Sequence, residues 1–224
     1  MISLVAAAIF FAGIHLGVAG TTIRDRIVGR LGEGPYRGAF SAASIAGLVW
    51  LIIAYRRAPY IATWGPLDWW KPVAILLMLP SAFLVTIGLA TPSPTAVAQE
   101  GRVGEAPRGI VRVTRHPFLI GVALWALVHL VGNGDAASFV FFGAFAVVAV
   151  AGPASIDAKR RRALGPAWER FGAQTSIVPF AGSAAAGGGI LREIGPLRTL
   201  AGAAVYVALL ALHGSVIGVS PFPG

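Results

Sequence analysis

The chain has 224 residues, of which 56% are hydrophobic and only 12% charged, and its mean hydropathy is +0.76. Soluble domains carry about 25% charged residues because they need a wetted charged skin, so an ordinary soluble core is excluded and a bilayer is implied. The formal charge of +9 is spread over the segments between apolar runs, not gathered in a basic stripe interleaved with aromatics, which argues for membrane topology and against nucleic acid as a partner.

Apolar runs of this size supply about six spans of ~20 residues each, all within one membrane domain over residues 1–224. The first is Ile2–Gly20. It lacks Lys or Arg at its start and is interrupted by His15, so it reads as a permanent span and not as a cleaved signal peptide. Gly38–Tyr55 follows, beyond a loop holding Arg24, Arg26, Arg30 and Arg37. Ala58–Lys71 carries Tyr60, Trp64, Trp69 and Trp70, the composition of an interfacial aromatic belt. Pro72–Ala90 is the third span, and Pro80 is expected to kink it because its missing N–H frees a carbonyl.

The next loop is basic again, with Arg102, Arg108, Arg112 and Arg115. Pro117–Gly132 is a short fourth span, and Asn133-Gly134-Asp135 turns it into the fifth, Ala136–Ile156, as an antiparallel helical hairpin. Ala158–Thr175 is basic and amphipathic and is expected along the membrane surface. Gly182–Gly189 is a small-residue linker. Leu197–Gly218 completes the set. Small residues in the spans (Ala42, Ala43, Gly47, Gly202, Ala203, Ala204) suit close helix packing in lipid. The expected fold is therefore all-α, a polytopic bundle. The basic loops belong on the cytoplasmic side by the positive-inside rule, and both termini are expected in the periplasm.

Chemistry is concentrated in the histidines. His15, His129 and His213 fall inside apolar spans, where an ionisable group is costly and therefore a functional candidate. With no cysteine, disulfides, thiolate nucleophiles and cysteine-ligated clusters are excluded. No carboxylate is expected within a span, since Asp25, Asp135 and Asp157 lie near boundaries. Bare metal sites and proton relays lose support for that reason. Two neutral imidazoles in an apolar helical bundle suit haem, and basic residues at the membrane surface suit its propionates. Thr114-Arg115-His116-Pro117 opens the fourth span and places Arg115 and His116 at headgroup level beside a helix N-terminus, where anions bind.

An ordered series of motifs carries a resemblance. It runs from Ile14-His15, Arg24-Asp25 and Tyr36-Arg37 through Thr91-Pro-Ser-Pro-Thr-Ala96 to Val113-Thr-Arg-His-Pro117, Trp125, His129 and Asn133. It then passes through Arg161-Arg162 and Thr175-Ser-Ile-Val-Pro-Phe180 and ends at His213. The chain in these respects resembles the NnrU family, which includes a plant carotenoid isomerase. The Arg-His-Pro tripeptide alone is also similar to membrane methyltransferases of the isoprenylcysteine type. The resemblance implies a multi-pass protein of the bacterial inner membrane that binds haem b. It implies a role in nitrogen-oxide (denitrification) or redox metabolism or, alternatively, cis–trans isomerisation of a carotenoid or polyisoprenoid entering from lipid. The proposed axial ligands of the plant relative correspond to His15 and His129, and His116 and His213 match further histidines there. One departure is Ala126, where the plant relative has a Cys. A methyltransferase would instead bind its cofactor near Arg115, His116, Glu169 and Arg170.

Helix rise of ~1.5 Å per residue sets the depths of these side chains. His15 lies toward the basic end of its span and His129 toward the opposite end, differing in depth by roughly 10 Å, whereas His129 and His213 come out nearly level. His129 is thus expected as one haem ligand, with His15 or His213 opposite.

Overall fold

The computed structural model describes residues 1–223, and among these the chain is all-helical. Helix α1 (Ile2–Ala12) continues into a π-helical turn, Gly13–Val18, before a bend of 79° into α2 (Thr22–Leu31). Helix α3 (Glu33–Arg56) returns, and α4 (Lys71–Ala90) runs on through Pro80. A short turn of helix, α5 (Ile110–Val113), leads to α6 (Pro117–Asn133) and its hairpin partner α7 (Ala136–Leu164). Helix α8 (Pro166–Gln174), the short α9 (Ile190–Ile194) and α10 (Pro196–Ile217) complete the chain.

Four helical segments are long and apolar enough to cross a bilayer, and the bent α1–α2 pair makes a fifth. The remaining expected span is α6, whose 17 residues reach about 25 Å, less than the ~30 Å hydrocarbon thickness. The chain is a membrane protein: the outer faces of these helices are apolar yet exposed, as Leu76 (71%), Leu200 (66%) and Val216 (72%) show on α4 and α10.

Helix contacts follow from small residues. At Gly121 of α6 a Cβ would lie 2.9 Å from the Ser81 carbonyl oxygen of α4, so only glycine allows this approach. The Ser81 hydroxyl spans the same contact, donating to the Gly121 carbonyl at 2.8 Å. Gly47 of α3 likewise makes room for the Phe10 ring of α1. The central core joins α1, α3, α6 and α7 through Leu4, Phe11, Leu51, Ala126, Phe141 and Phe142.

The α6–α7 hairpin forms as the sequence predicts. Gly134 takes the left-handed conformation (φ 58°, ψ 37°) that ends α6, and the Asp135 side chain caps α7 by accepting from the Ser138 amide at 3.0 Å. The aromatic segment closes over the end of α6, where the Val131 carbonyl is one of the last four of the helix. The Trp70 and Trp64 indoles donate to the Val128 and Val131 carbonyls at 3.0 and 2.9 Å, and the Thr63 and Gly65 amides donate to the Gly134 carbonyl. The expected aromatic belt therefore also serves as the C-terminal cap of α6.

Two boundaries differ from the sequence reading. Helix α7 does not stop at Ile156 but extends to Leu164, which places Asp157 inside a continuous helix. The amphipathic stretch after it is broken at Gly165 (φ 50°), and α8 turns Trp168 and Phe171 inward. These two rings pack with Ile87, Ile110, Val111, Val113 and Ile194, so the apolar face of α8 is buried against protein instead of lipid.

Candidate functional site

The last turns of α6 and α10 bring two of the expected histidines together. The rings of His129 and His213 are nearly parallel (25°) with centroids 6.3 Å apart. On His129 the Nδ1–H donates to the Trp125 carbonyl at 2.8 Å. On His213 the Nδ1–H donates to the Val219 carbonyl at 2.7 Å. A carbonyl only accepts, so each hydrogen bond fixes the tautomer and leaves Nε2 with a free lone pair. Neither Nε2 has a hydrogen-bond partner among the described residues. Phe142 stacks on the His129 ring at 5.0 Å and Trp125 flanks it at 5.3 Å, so the imidazole is held in one orientation by aromatic neighbours.

His15 lies elsewhere. It sits in the π-helical turn, an uncommon geometry enriched at functional sites. Its Nδ1–H donates to the Phe11 carbonyl at 2.7 Å, and its Nε2 accepts from the Ser44 hydroxyl at 3.2 Å. A file of rings separates it from His129. Phe11 is 4.4 Å from His15, Phe145 5.1 Å from Phe11, and Trp125 5.2 Å from Phe145. His15 is thus linked to His129 through aromatic packing, with its own Nε2 already partnered. Ala126 is fully buried in the central core and adds no donor atom.

The pair His129–His213 fits a haem by its donor set. Two imidazoles sharing one metal at N–metal distances of about 2.0–2.1 Å have ring centres roughly 6 Å apart, close to the separation observed. Both imidazoles are fixed in orientation by their Nδ1–H bonds and set in apolar helices, a donor set that would suit haem iron. Among the described residues no group of three or more His, Asp or Glu side chains is arranged to hold a bare metal ion.

Arg115 and His116 are committed to a different task. His116 Nε2 bonds the Asp157 carboxylate at 2.6 Å, and Arg115 grips the other carboxylate oxygen through Nε at 2.9 Å and Nη2 at 2.5 Å. Arg115 Nη1 also donates to the Thr175 carbonyl at 2.7 Å. His116 and Asp157 are 2% and 6% exposed at their side chains, so this is a buried ion cluster. It ties the start of α6 to α7 and to the segment Thr175–Phe180, whose Ser176 and Ile177 carbonyls accept from the Thr114 hydroxyl. Thirteen residues of helix separate His116 from His129, about 20 Å. The propionate-facing role expected of Arg115 and His116 therefore meets donors that are already engaged within the protein. Asp157 was set aside in the sequence as a boundary residue. Its signal was the basic run after it, which stays helical and keeps the carboxylate inside.

A second ion cluster holds the same basic loop three residues earlier. Arg112 is enclosed by the Ala184, Gly187 and Gly188 carbonyls and by Glu193, which it meets at 2.5 Å. The Gly109 amide donates to the Glu193 carboxylate at 2.7 Å and, with Arg112 beside it, holds that carboxyl below the usual glutamate value.

Fold and site together define a multi-span, all-helical membrane protein with an imidazole pair between two helix ends. The chain belongs to the NnrU family, described as NnrU protein, whose family model matches residues 3–221. It is also similar to the chloroplastic 15-cis-zeta-carotene isomerase of Zea mays, at 26% identity over 184 residues. That match covers 77% of this chain but 48% of the maize protein, so the chain spans about half the length of this relative. No solved structure matches the chain.

Proposed function

We propose that this protein is a haem b-binding membrane protein that acts on an apolar, lipid-soluble polyene as a cis–trans isomerase, with His129 and His213 as the residues that hold the iron. The observation that carries the reading is the pair itself: two unpartnered Nε2 atoms on near-parallel rings 6.3 Å apart. The likeness to a plant carotenoid isomerase over most of this chain supports the substrate class. Haem bound there would supply a redox-active iron beside an apolar substrate.

The chain's own residues perform the remaining tasks. The Trp125 and Val219 carbonyls hold each imidazole in the ligating tautomer. Phe142 and Trp125 keep water from one side of His129. Helix α10 packs mainly on α4 and leaves Leu209, Leu212 and Val216 exposed around His213, an apolar flank by which a substrate could arrive laterally from lipid. The proposed setting is the bacterial inner membrane, with the basic loops cytoplasmic and the termini periplasmic.

Absorption of the purified protein in detergent tests the cofactor: a Soret band that shifts on dithionite reduction is expected. Conversion of a cis-polyene by the reduced protein, followed by chromatography, tests the reaction. A haem that binds nitric oxide but leaves the polyene unchanged would replace isomerisation with the nitrogen-oxide role. A colourless protein that binds a methyl-donor nucleotide cofactor would overturn both.

A further inference from the structure

A cavity of about 570 Å³ opens at the basic end of the bundle, where α4 ends and α10 begins. Its size is in the range of ligand pockets, ~300–1,000 Å³. The floor is apolar and buried, built from Val111, Phe171 and Ile194. The walls carry Arg102, Arg108 and Arg198. Of these, Arg102 is paired with Glu105 at 3.1 Å. Arg108 and Arg198 have no carboxylate within salt-bridge distance among the described residues. The wall's other carboxylate, Glu193, is already neutralised by Arg112. Arg198 is held in place without losing its charge: Nε donates to the Ala90 carbonyl at 3.2 Å and Nη1 to the Ile194 carbonyl at 3.3 Å. The cavity therefore keeps a surplus of positive charge from guanidinium groups, which suit the oxygens of a phosphate.

Position decides what phosphate. Ala90 and Pro196 are the terminal residues of two spanning helices, so the cavity lies at the depth of lipid headgroups. Immediately toward the bilayer, Leu89 (70%), Leu197 (80%) and Leu200 (66%) present exposed apolar side chains, a surface for acyl chains. Basic pockets between spanning helices at this level bind anionic headgroups.

We propose that this cavity is a binding site for an anionic phospholipid, with Arg108 and Arg198 on its phosphate and the acyl chains lying along Leu89, Leu197 and Leu200. The site is separate from the histidine pair and does not depend on the haem reading.

The test is titration of the full-length protein in detergent with phosphatidylglycerol, read by native mass spectrometry, against phosphatidylcholine and against inorganic phosphate. Arg108→Ala is the primary variant, because its side chain makes no hydrogen bond or ion pair among the described residues. Arg108→Ala should weaken phosphatidylglycerol binding about fivefold, and Arg108→Ala with Arg198→Ala should weaken it further. Arg30→Ala, in the basic helix α2, should leave it unchanged, and excess inorganic phosphate should not displace the lipid. Equal loss of binding in Arg30→Ala and Arg108→Ala, or equal retention of phosphatidylcholine, would reduce the effect to general surface charge and overturn the site. Displacement by inorganic phosphate would overturn the lipid in favour of a soluble phosphate compound.

Discussion

His129 and His213 lie with ring centres 6.3 Å apart and ring planes 25° from parallel, each with Nδ1–H donated to a backbone carbonyl and Nε2 left free. His15, by contrast, has both ring nitrogens engaged. If the free nitrogens hold the iron, His129→Ala and His213→Ala should each abolish the six-coordinate haem spectrum, and His129→Ala should lower haem content the more, being the better buried. Ser44→Ala, which releases His15 Nε2, should leave the Soret position unchanged. Haem spectra altered by His15→Ala and untouched by His213→Ala would transfer the ligand role to His15.

Asp157 holds two buried partners at once, the Arg115 guanidinium and the His116 imidazole. Removing one member of a buried ion cluster typically costs about 3–5 kcal/mol, so Asp157→Ala should lower the thermal midpoint of the detergent-solubilised protein sharply. The Arg161–Glu169 pair is exposed at 57% and 59%. Glu169→Gln should therefore change stability by no more than ~1 kcal/mol. Comparable melting shifts in the two variants would show that the Asp157 cluster is not a buried anchor.

Gly134 occupies a left-handed conformation at φ 58°, and its missing side chain admits the Gly65 carbonyl and the Trp64 ring. Its own carbonyl accepts from the Thr63 and Gly65 amides and the Thr63 hydroxyl. Gly134→Ala adds the conformational penalty of about 1–2 kcal/mol and a steric conflict with that loop. Loosening of the aromatic cap on α6 should appear as increased accessibility of Trp64 to a water-soluble quencher. An unchanged quenching profile would mean that the cap does not depend on this glycine.

Glu193 titrates below the ordinary glutamate value of 4.5 because the Gly109 amide and then Arg112 favour its charged form. A carboxyl depressed in the folded state contributes stability that is fully present above the unfolded value and is lost as pH falls through the folded one. Wild type should therefore lose part of its melting temperature below about pH 4.5. Glu193→Gln should start lower at neutral pH and lack that part of the acid dependence. Parallel pH curves for the two proteins would contradict this assignment.

Much of this architecture could be read from the chain. Hydropathy located every long helix because a bilayer imposes one local requirement, an apolar run of sufficient length. The Asn133-Gly134-Asp135 turn was legible for a similar reason: a left-handed glycine followed by a capping aspartate is local chemistry. The level placement expected of His129 and His213 came from helix rise alone, and their rings do meet. What the tertiary structure alone decided was lateral adjacency, since depth does not say which helices neighbour one another around a bundle. That is why His129 meets His213 while an aromatic file stands between it and His15. The same holds for Asp157, whose partners lie 41 and 42 positions away in sequence, and for α8, whose amphipathic pattern marks an apolar face without saying whether lipid or protein covers it. In each case the deciding term is a contact between distant segments, which no local pattern encodes.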